Sequence, residues 1–227
     1  MALQYKVITN RDPHHVVSEQ YRKLKTNIDF SMIDSRIQVI SLTSTFPREG
    51  KTITALNLAT VYAQSKKKTL IVDLDLRKPK LHRAFGISNK DGLGEHFSDE
   101  VDIFDLVHEA DEYLDVLVAG KRIPFPAEVL ESKQMQHVLD RLRTKYEKII
   151  IDAPPLTAVA DATIISRFVD GTIFVVGSRK TNKDIAKTAL KELEQSGGKI
   201  LGGVMTQVQK RDLYRGMDYY YYYGEDE

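Results

Sequence analysis

A predominantly parallel β-sheet with helices on both faces, the α/β class, is the fold that this sequence predicts. Three observations carry the reading. Short apolar runs rich in Val, Ile and Leu recur at 38–43, 69–73, 114–119, 148–152, 171–176 and 200–205. These runs are near-continuously hydrophobic, as strands buried on both faces are. Between most of them lie segments of helical period at 51–64, 127–146, 160–168 and 183–195, and alternating strands and helices build a parallel sheet covered on both sides.

Taken in chain order, the first element is a helix. Val17, Tyr21, Leu24 and Ile28 recur at helical spacing, with Ser18 available as a cap, so 17–30 reads as an amphipathic helix carrying Glu19, Arg22 and Lys25 mostly on other faces. QVISLT then reads as the first strand, and KTITALNLATVYAQ as the helix that follows it. The stretch 91–105, which contains GLGEHFSDE, is the least regular and reads as a loop. From Gln209 onward periodicity stops, and the ending RDLYRGMDYYYYYGEDE reads as a mobile tail. The expected organisation is one domain over 1–208 and a tail over 209–227.

Composition narrows the chemistry. A chain of 227 residues can bury one sizeable core. With 33 basic and 32 acidic residues the formal net charge is +1, which leaves no electrostatic footprint for nucleic acid. Zero Cys excludes disulfides, thiolate catalysis and a Cys-ligated metal, and fits the reducing cytoplasm. No apolar run has the length of a membrane span, and MALQYKVITNRDPHH lacks the apolar core of a signal peptide. A cytoplasmic protein is expected.

Residues 45–52 read TFPREGKT, which matches the phosphate-binding pattern G-x-x-x-x-G-K-[ST] everywhere except its first Gly. Such a loop wraps backbone N–H groups around an anionic phosphate, and the following helix N-terminus adds partial positive charge. The candidate cradle is Ser44, Thr45, Phe46, Pro47, Arg48, Glu49, Gly50, Lys51 and Thr52, at a strand-to-helix junction. Lys51 would neutralise β- and γ-phosphate oxygens of ATP, and the Thr52 hydroxyl would ligate Mg²⁺. An isolated GKT is equally compatible with a polar turn. Two further runs argue against that. LIVDLDLRKP ends a buried strand in Asp73, with Asp75 two residues on and on the same side, and KIIIDAPP ends another in Asp152. In open α/β sheets ligands sit at the carboxyl ends of the strands, where all three segments terminate.

These residues resemble the bacterial tyrosine kinases that control capsule and exopolysaccharide synthesis, in particular the cytoplasmic kinases of Gram-positive bacteria. That family carries a Walker A loop, then three apolar residues and D-x-D-x-R, then a Walker B of three apolar residues and D-x-x-P. Here these are STFPREGKT, IVDLDLR with Asp73, Asp75 and Arg77, and IIIDAPP with Asp152 and Pro155. A fourth feature is the tail, where Tyr214 and Tyr219, Tyr220, Tyr221, Tyr222 and Tyr223 place six of the chain's 11 tyrosines in the last 14 residues. The resemblance covers nearly the whole chain and implies a P-loop NTPase-type fold and autophosphorylation of that cluster. It also implies ring assembly through an E-x-x-R-x-x-R motif on the N-terminal helix, here Glu19, Arg22 and Lys25. Lysine at the third position keeps the charge and loses the bidentate geometry. Arg48 stands where the family loop often has Gly, and a side chain there demands a different backbone angle or adds positive charge near the phosphates.

The mechanism this implies is phosphoryl transfer by positioning and charge neutralisation. Lys51 and the loop amides hold the phosphates, while Thr52 and Asp152 hold Mg²⁺ directly or through water. One of Asp73 and Asp75 helps order the metal shell and the other takes the tyrosine proton; the assignment adopted is Asp75 for the metal and Asp73 for the base. Transfer in trans within a ring is expected, with phosphorylation of the already acidic tail driving the ring apart. The resemblance further implies a separate membrane activator protein, which would hold the kinase at the inner face of the membrane, and an opposing tyrosine phosphatase. The competing reading is a partition- or division-site-type ATPase that uses ATP to dimerise. Those proteins carry K-G-G-x-G-K-[ST], and the signature lysine is replaced here by Phe46.

Overall fold

The computed structural model describes residues 7–31, 37–178 and 180–209. Tyr214 and the block Tyr219 to Tyr223 lie outside the described residues, as does the predicted tail beyond Gln209. Helices α1 (Ile8–Arg11) and α2 (Val16–Phe30) lead into β1 (Val39–Ser44), α3 (Lys51–Gln64) and β2 (Thr69–Asp73). There follow α4 (Leu81–Phe85), α5 (Leu93–Asp99), β3 (His108–Asp111), β4 (Leu114–Leu117), α6 (Pro126–Glu131), α7 (Lys133–Lys145) and β5 (Lys148–Asp152). Then come α8 (Asp161–Ser166), β6 (Gly171–Gly177), α9 (Lys183–Gln195) and β7 (Ile200–Thr206). Seven strands pair in the order β3-β4-β2-β5-β1-β6-β7. Every pairing is parallel except β3 against β4.

Burial on both faces follows from the pleat. In β5, Ile149 and Ile151 join a core with α7 (Val138, Leu139, Leu142) and Leu193 of α9, while Ile150 joins the opposite core with Leu56, Ala59 and Tyr62 of α3. Helix α3 is apolar around most of its circumference, as a helix enclosed on all sides must be. The sheet covers one side of it, and α1 and α2 cover the other. Thr9 donates to Asn57 Oδ1 from both its N–H and its hydroxyl, and Tyr62 donates to Asp29 at 3.0 Å.

The six predicted strands are present, and four local readings need correction. First, the cap of α2 is His15, whose Nδ1 accepts from Val17 N at 3.1 Å, whereas Ser18 donates to the Asp12 carbonyl. Of the predicted apolar stripe only Ile28 is fully buried, and Val17 is 40% exposed. Second, 127–146 is two helices, because Ser132 turns extended and caps α7 through Met135 N. Third, the segment read as a loop contains α5. Its first turn is fastened to the end of β4, with Leu93 N donating to Val118 O at 2.9 Å and Gly94 N to Ala119 O at 2.8 Å. A Cβ at Gly94 would lie 2.1 Å from the Lys121 carbonyl, so the glycine that suggests a loop is a requirement of close docking. Fourth, β7 is a half-exposed edge with Met205 65% exposed, not a strand buried on both faces. The unpredicted β3 reads HEAD; its charge and alternate exposure hid it.

One buried-edge contact ties three elements together. Asp170 Oδ2 accepts the N–H groups of Gln38 and Val39, both at 2.7 Å, and its carboxylate is gripped by both terminal nitrogens of Arg143. Burial pushes this carboxyl up, yet Arg143 and the two N–H groups outweigh it and hold it below the ordinary range. Asp170→Ala is expected to cost about 2–3 kcal/mol of stability at pH 7, read by urea denaturation, because it leaves a cation and two amides without their acceptor. A depressed folded pKa contributes stability that is present above the unfolded value and lost as pH falls through the folded one. The gap between wild type and variant should therefore narrow below about pH 4.

Candidate active site

The end of β1, the loop 45–50 and the start of α3 carry the residues of the expected cradle, at a strand-to-helix junction. Gly50 takes a φ of 95°, a left-handed angle that glycine adopts without strain, and precedes Lys51 as the N-cap with no side-chain cap of its own. The first-turn N–H groups of α3 are thus left to a ligand, and a helix N-terminus favours an anionic one. Arg48 also takes a left-handed φ, 67°, which a non-glycine residue adopts at a cost of about 1–2 kcal/mol. The loop accommodates the arginine by keeping a glycine-like backbone angle.

Distant residues hold this loop in place. Thr206 donates through its hydroxyl to the Glu49 carbonyl, and Gln207 Nε2 donates to the Arg48 carbonyl at 2.7 Å. The Glu49 side chain is 2% exposed and accepts from Phe46 N at 2.8 Å and Gly177 N at 3.3 Å. On the other flank, Leu156 N donates to the Ser44 carbonyl at 2.8 Å. The ends of β6, β7 and β5 therefore shape the loop. No sequence signal marks Thr206 or Gln207, since they act on residues more than 150 positions away.

Three strand-end carboxylates gather around Lys51. Parallel pairing sets Asp73 of β2 opposite Asp152 of β5. Lys51 Nζ lies 3.5 Å from Asp75 and 3.5 Å from Asp152, and the Thr52 hydroxyl donates to Asp152 Oδ2 at 2.7 Å. Asp73 is fully buried; its oxygens accept the N–H groups of Asp75, Lys80 and Leu81 at 3.2, 2.8 and 2.9 Å. Burial, then the charge of Asp152, pushes Asp73 up to about 7 despite those N–H groups. Burial also pushes Asp152 up, against the pull of Lys51 and Thr52. At Lys51 burial opposes the charge, but Asp152, Asp75 and Asp73 together hold the ammonium above its ordinary pKa.

Three buried carboxylates facing a single buried ammonium form a set short of positive charge. Among the described residues no cluster of three His, Asp or Glu side chains is arranged to hold a metal by itself. The donors fit a hard cation that takes one or two carboxylates and a hydroxyl and completes its shell with phosphate oxygens and water, as Mg²⁺ does. Beside Lys51 opens a cleft of about 190 Å³ walled by Pro47, Pro154 and Pro155 and bordered by Asp75, Arg77, Lys78 and Lys80. Asp75 lines this cleft, whereas Asp73 is fully buried and does not. Arg77 is fixed by a bidentate pair with Asp161, at 2.8 and 3.0 Å; Asp161 is fully buried and was not singled out from the sequence, where it reads as a helix start.

The predicted assembly residues lie on α2, away from this cleft, and have partners within the chain. Arg22 pairs with Glu19 and also donates to the Pro13 carbonyl, while Lys25 pairs with Asp29 at 3.1 Å.

Fold and site together define a P-loop nucleotide-binding protein, and the family model described as an AAA domain matches residues 37–177. The chain is 39% identical over 225 residues to the tyrosine-protein kinase YwqD of Bacillus subtilis, covering 99% of this chain and 94% of that one. It is 37% identical over 215 residues to the putative tyrosine-protein kinase CapB of Staphylococcus aureus, covering 94% and 93%. The solved chimerical protein CapA2B2 superposes with a TM-score of 0.87 at 37% identity, covering 92% of both chains. The chain belongs to the bacterial tyrosine kinases, and its activity is that of a protein-tyrosine kinase. A plasmid partition protein of Borrelia burgdorferi and the septum site-determining protein MinD of Pyrococcus horikoshii match at TM-scores of 0.60 and 0.64 with 17% and 21% identity, a likeness of fold alone. No helix among the described residues is long and apolar enough to cross a membrane.

Proposed function

We propose that this kinase transfers the γ-phosphoryl group of Mg·ATP to the tyrosines Tyr219 to Tyr223 of another copy of itself, within a ring that assembles through Glu19, Arg22 and Lys25. The observation that carries the proposal is the gathering of Lys51, Thr52, Asp75 and Asp152 at the mouth of a cradle whose helix N-terminus is left uncapped. In the reaction a tyrosine oxygen attacks the γ-phosphorus, the bond to the β,γ-bridging oxygen breaks, and the phenolic proton passes to a carboxylate. Lys51 and the loop amides hold the phosphates. Thr52, Asp152 and Asp75 would hold Mg²⁺, which would supply neutralisation of the phosphate charge. Asp73 is assigned as the proton acceptor because burial pushes its carboxyl up to about 7, near the pH at which a general base works best. Since Asp73 is fully buried and does not line the cleft, the role requires substrate binding to bring the phenol within its reach. Ring assembly would exchange the Lys25–Asp29 pair within the chain for a pair between copies. A separate membrane protein would activate the kinase and hold it at the inner membrane face, and a tyrosine phosphatase would reverse its action. The process regulated would be capsule or exopolysaccharide synthesis.

The test compares the chain with a variant in which Tyr214 and Tyr219 to Tyr223 are phenylalanine, each given γ-labelled ATP and Mg²⁺. Tyrosine label that falls at least about tenfold in the variant is the expected result, since removing the acceptors leaves hydrolysis as the only outlet. Equal label in both chains, or free phosphate without any tyrosine label, would overturn the reading and favour an ATPase.

A further inference from the structure

We propose that Lys78 and Lys80, at the rim of the active-site cleft, select the acceptor by its acidic flanks, so that the segment 217–227 of a second copy is recognised by charge as well as by its tyrosines. The proposal rests on the kinase reading and adds what the enzyme chooses to phosphorylate.

The run Arg77, Lys78, Pro79, Lys80 puts three cations on one short turn. Arg77, Lys78 and Lys80 border the cleft, and among the described residues the only carboxylate lining it, Asp75, already faces Lys51. Arg77 is oriented by buried Asp161, whereas no ion pair among the described residues engages Lys78 or Lys80. A pair of cations facing a cleft without counterions offers a place for anions.

The turn is also held at a set position relative to the chemistry. Lys78 N donates to Asp75 Oδ1 at 3.1 Å, and Lys80 N donates to Asp73 Oδ2 at 2.8 Å. The two carboxylates of the D-x-D motif thus fix the backbone from which the two ammonium groups extend. Pro47, Pro154 and Pro155, which suit the flat face of a phenol, line the same cleft as these cations.

The sequence supplies a matching ligand. Residues 217–227 read MDYYYYYGEDE, with Asp218 before the tyrosines, Glu225, Asp226 and Glu227 after them, and no basic residue. With any of the five tyrosines in the cleft, carboxylates stand to either side within a few residues. Lys210, Arg211 and Arg215 upstream would be repelled from the same rim, which favours the acidic end of the tail as the part that docks. ATP phosphates are the other anions that could use these lysines, and the test separates the two.

The test measures binding of fluorescent peptides to the full chain loaded with Mg·ADP, by anisotropy at low salt. One peptide has the sequence 217–227, and its counterpart carries Asn or Gln in place of Asp218, Glu225, Asp226 and Glu227. The acidic peptide is expected to bind about tenfold more tightly, as two screened ion pairs allow. Raising the salt should shrink that preference, and so should the double variant K78A/K80A, to less than about threefold. Equal binding of the two peptides, or an undiminished preference in the double variant, would overturn the proposal. A double variant that weakens ADP binding and leaves the peptide preference intact would assign the lysines to the nucleotide and overturn it as well. The same peptides with ATP and Mg²⁺ read the kinase activity separately. Tyrosine label with equal binding sinks only the recognition, while hydrolysis with no tyrosine label sinks the kinase reading and the recognition with it.

Discussion

Lys51→Met is expected to reduce tyrosine phosphorylation at least about a thousandfold, the upper range for loss of one preorganised charge contact in a dry site. Lys51 is 4% exposed and lies 3.5 Å from both Asp75 and Asp152, so in the proposed site the phosphates and the carboxylates share this one cation. The substitution has a second consequence that a purely catalytic role would not produce. It leaves three buried carboxylates without their ammonium, and breaking a buried pair in this way costs about 3–5 kcal/mol when the partner stays charged. Burial pushes Asp73 up to about 7 and raises Asp152 as well. The thermal penalty of the variant should therefore shrink as pH falls below about 7 and grow as it rises above it, with Mg²⁺ restoring part of the loss. A variant that kept more than a tenth of the wild-type activity, or whose penalty did not change with pH, would refute this account of the site.

Asp73→Asn is the second large effect. As general base Asp73 would contribute about a hundredfold to ten-thousandfold to transfer. Its carboxyl is pushed up to about 7, so wild-type kcat/KM for tyrosine transfer should rise with pH through that region, and the Asn variant should lose the rise together with the activity. Stability moves the other way. Between the ordinary carboxylate value, near 4, and about 7, the folded chain binds more protons than the unfolded one, so stability falls as pH rises across that window. The variant, with no charge to bury at position 73, should lose the Asp73 part of this slope in the absence of nucleotide, while Asp152, which burial also raises, keeps its own part. Asp75→Asn is the control: it should raise the Mg²⁺ requirement and keep the pH-dependent rise. Because Asp75 lines the cleft and Asp73 does not, the opposite pattern in the two variants would exchange their roles.

Much of the site was legible because its signals are local. A glycine and a lysine at the start of a helix, and aspartates at the ends of apolar runs, each declare a strand end without reference to the rest of the chain. The same locality misled where docking overrides propensity. Gly92 and Gly94 in GLGEHFSD resemble loop residues, yet they are glycines because the first turn of α5 packs against the backbone of 118–121. Ser132 breaks a long helical pattern by serving as a cap, and β3, which reads HEAD, carries no apolar run to mark it as a strand.

The sequence by itself determined the parallel strand series, the phosphate loop, the three carboxylates and the acidic tyrosine tail, since each rests on residue type and short spacing. Only the tertiary structure decided that Asp161 orients Arg77, that Thr206 and Gln207 hold the loop, and that Lys78 and Lys80 face the cleft beside Lys51. It also decided that Asp73 is fully buried, which pushes its carboxyl up, while Asp75 lines the cleft. The physical reason is common to all of these. Burial, charge compensation and hydrogen-bond partners are properties of neighbours in space, and parallel crossovers bring together at one sheet edge residues that the chain keeps far apart.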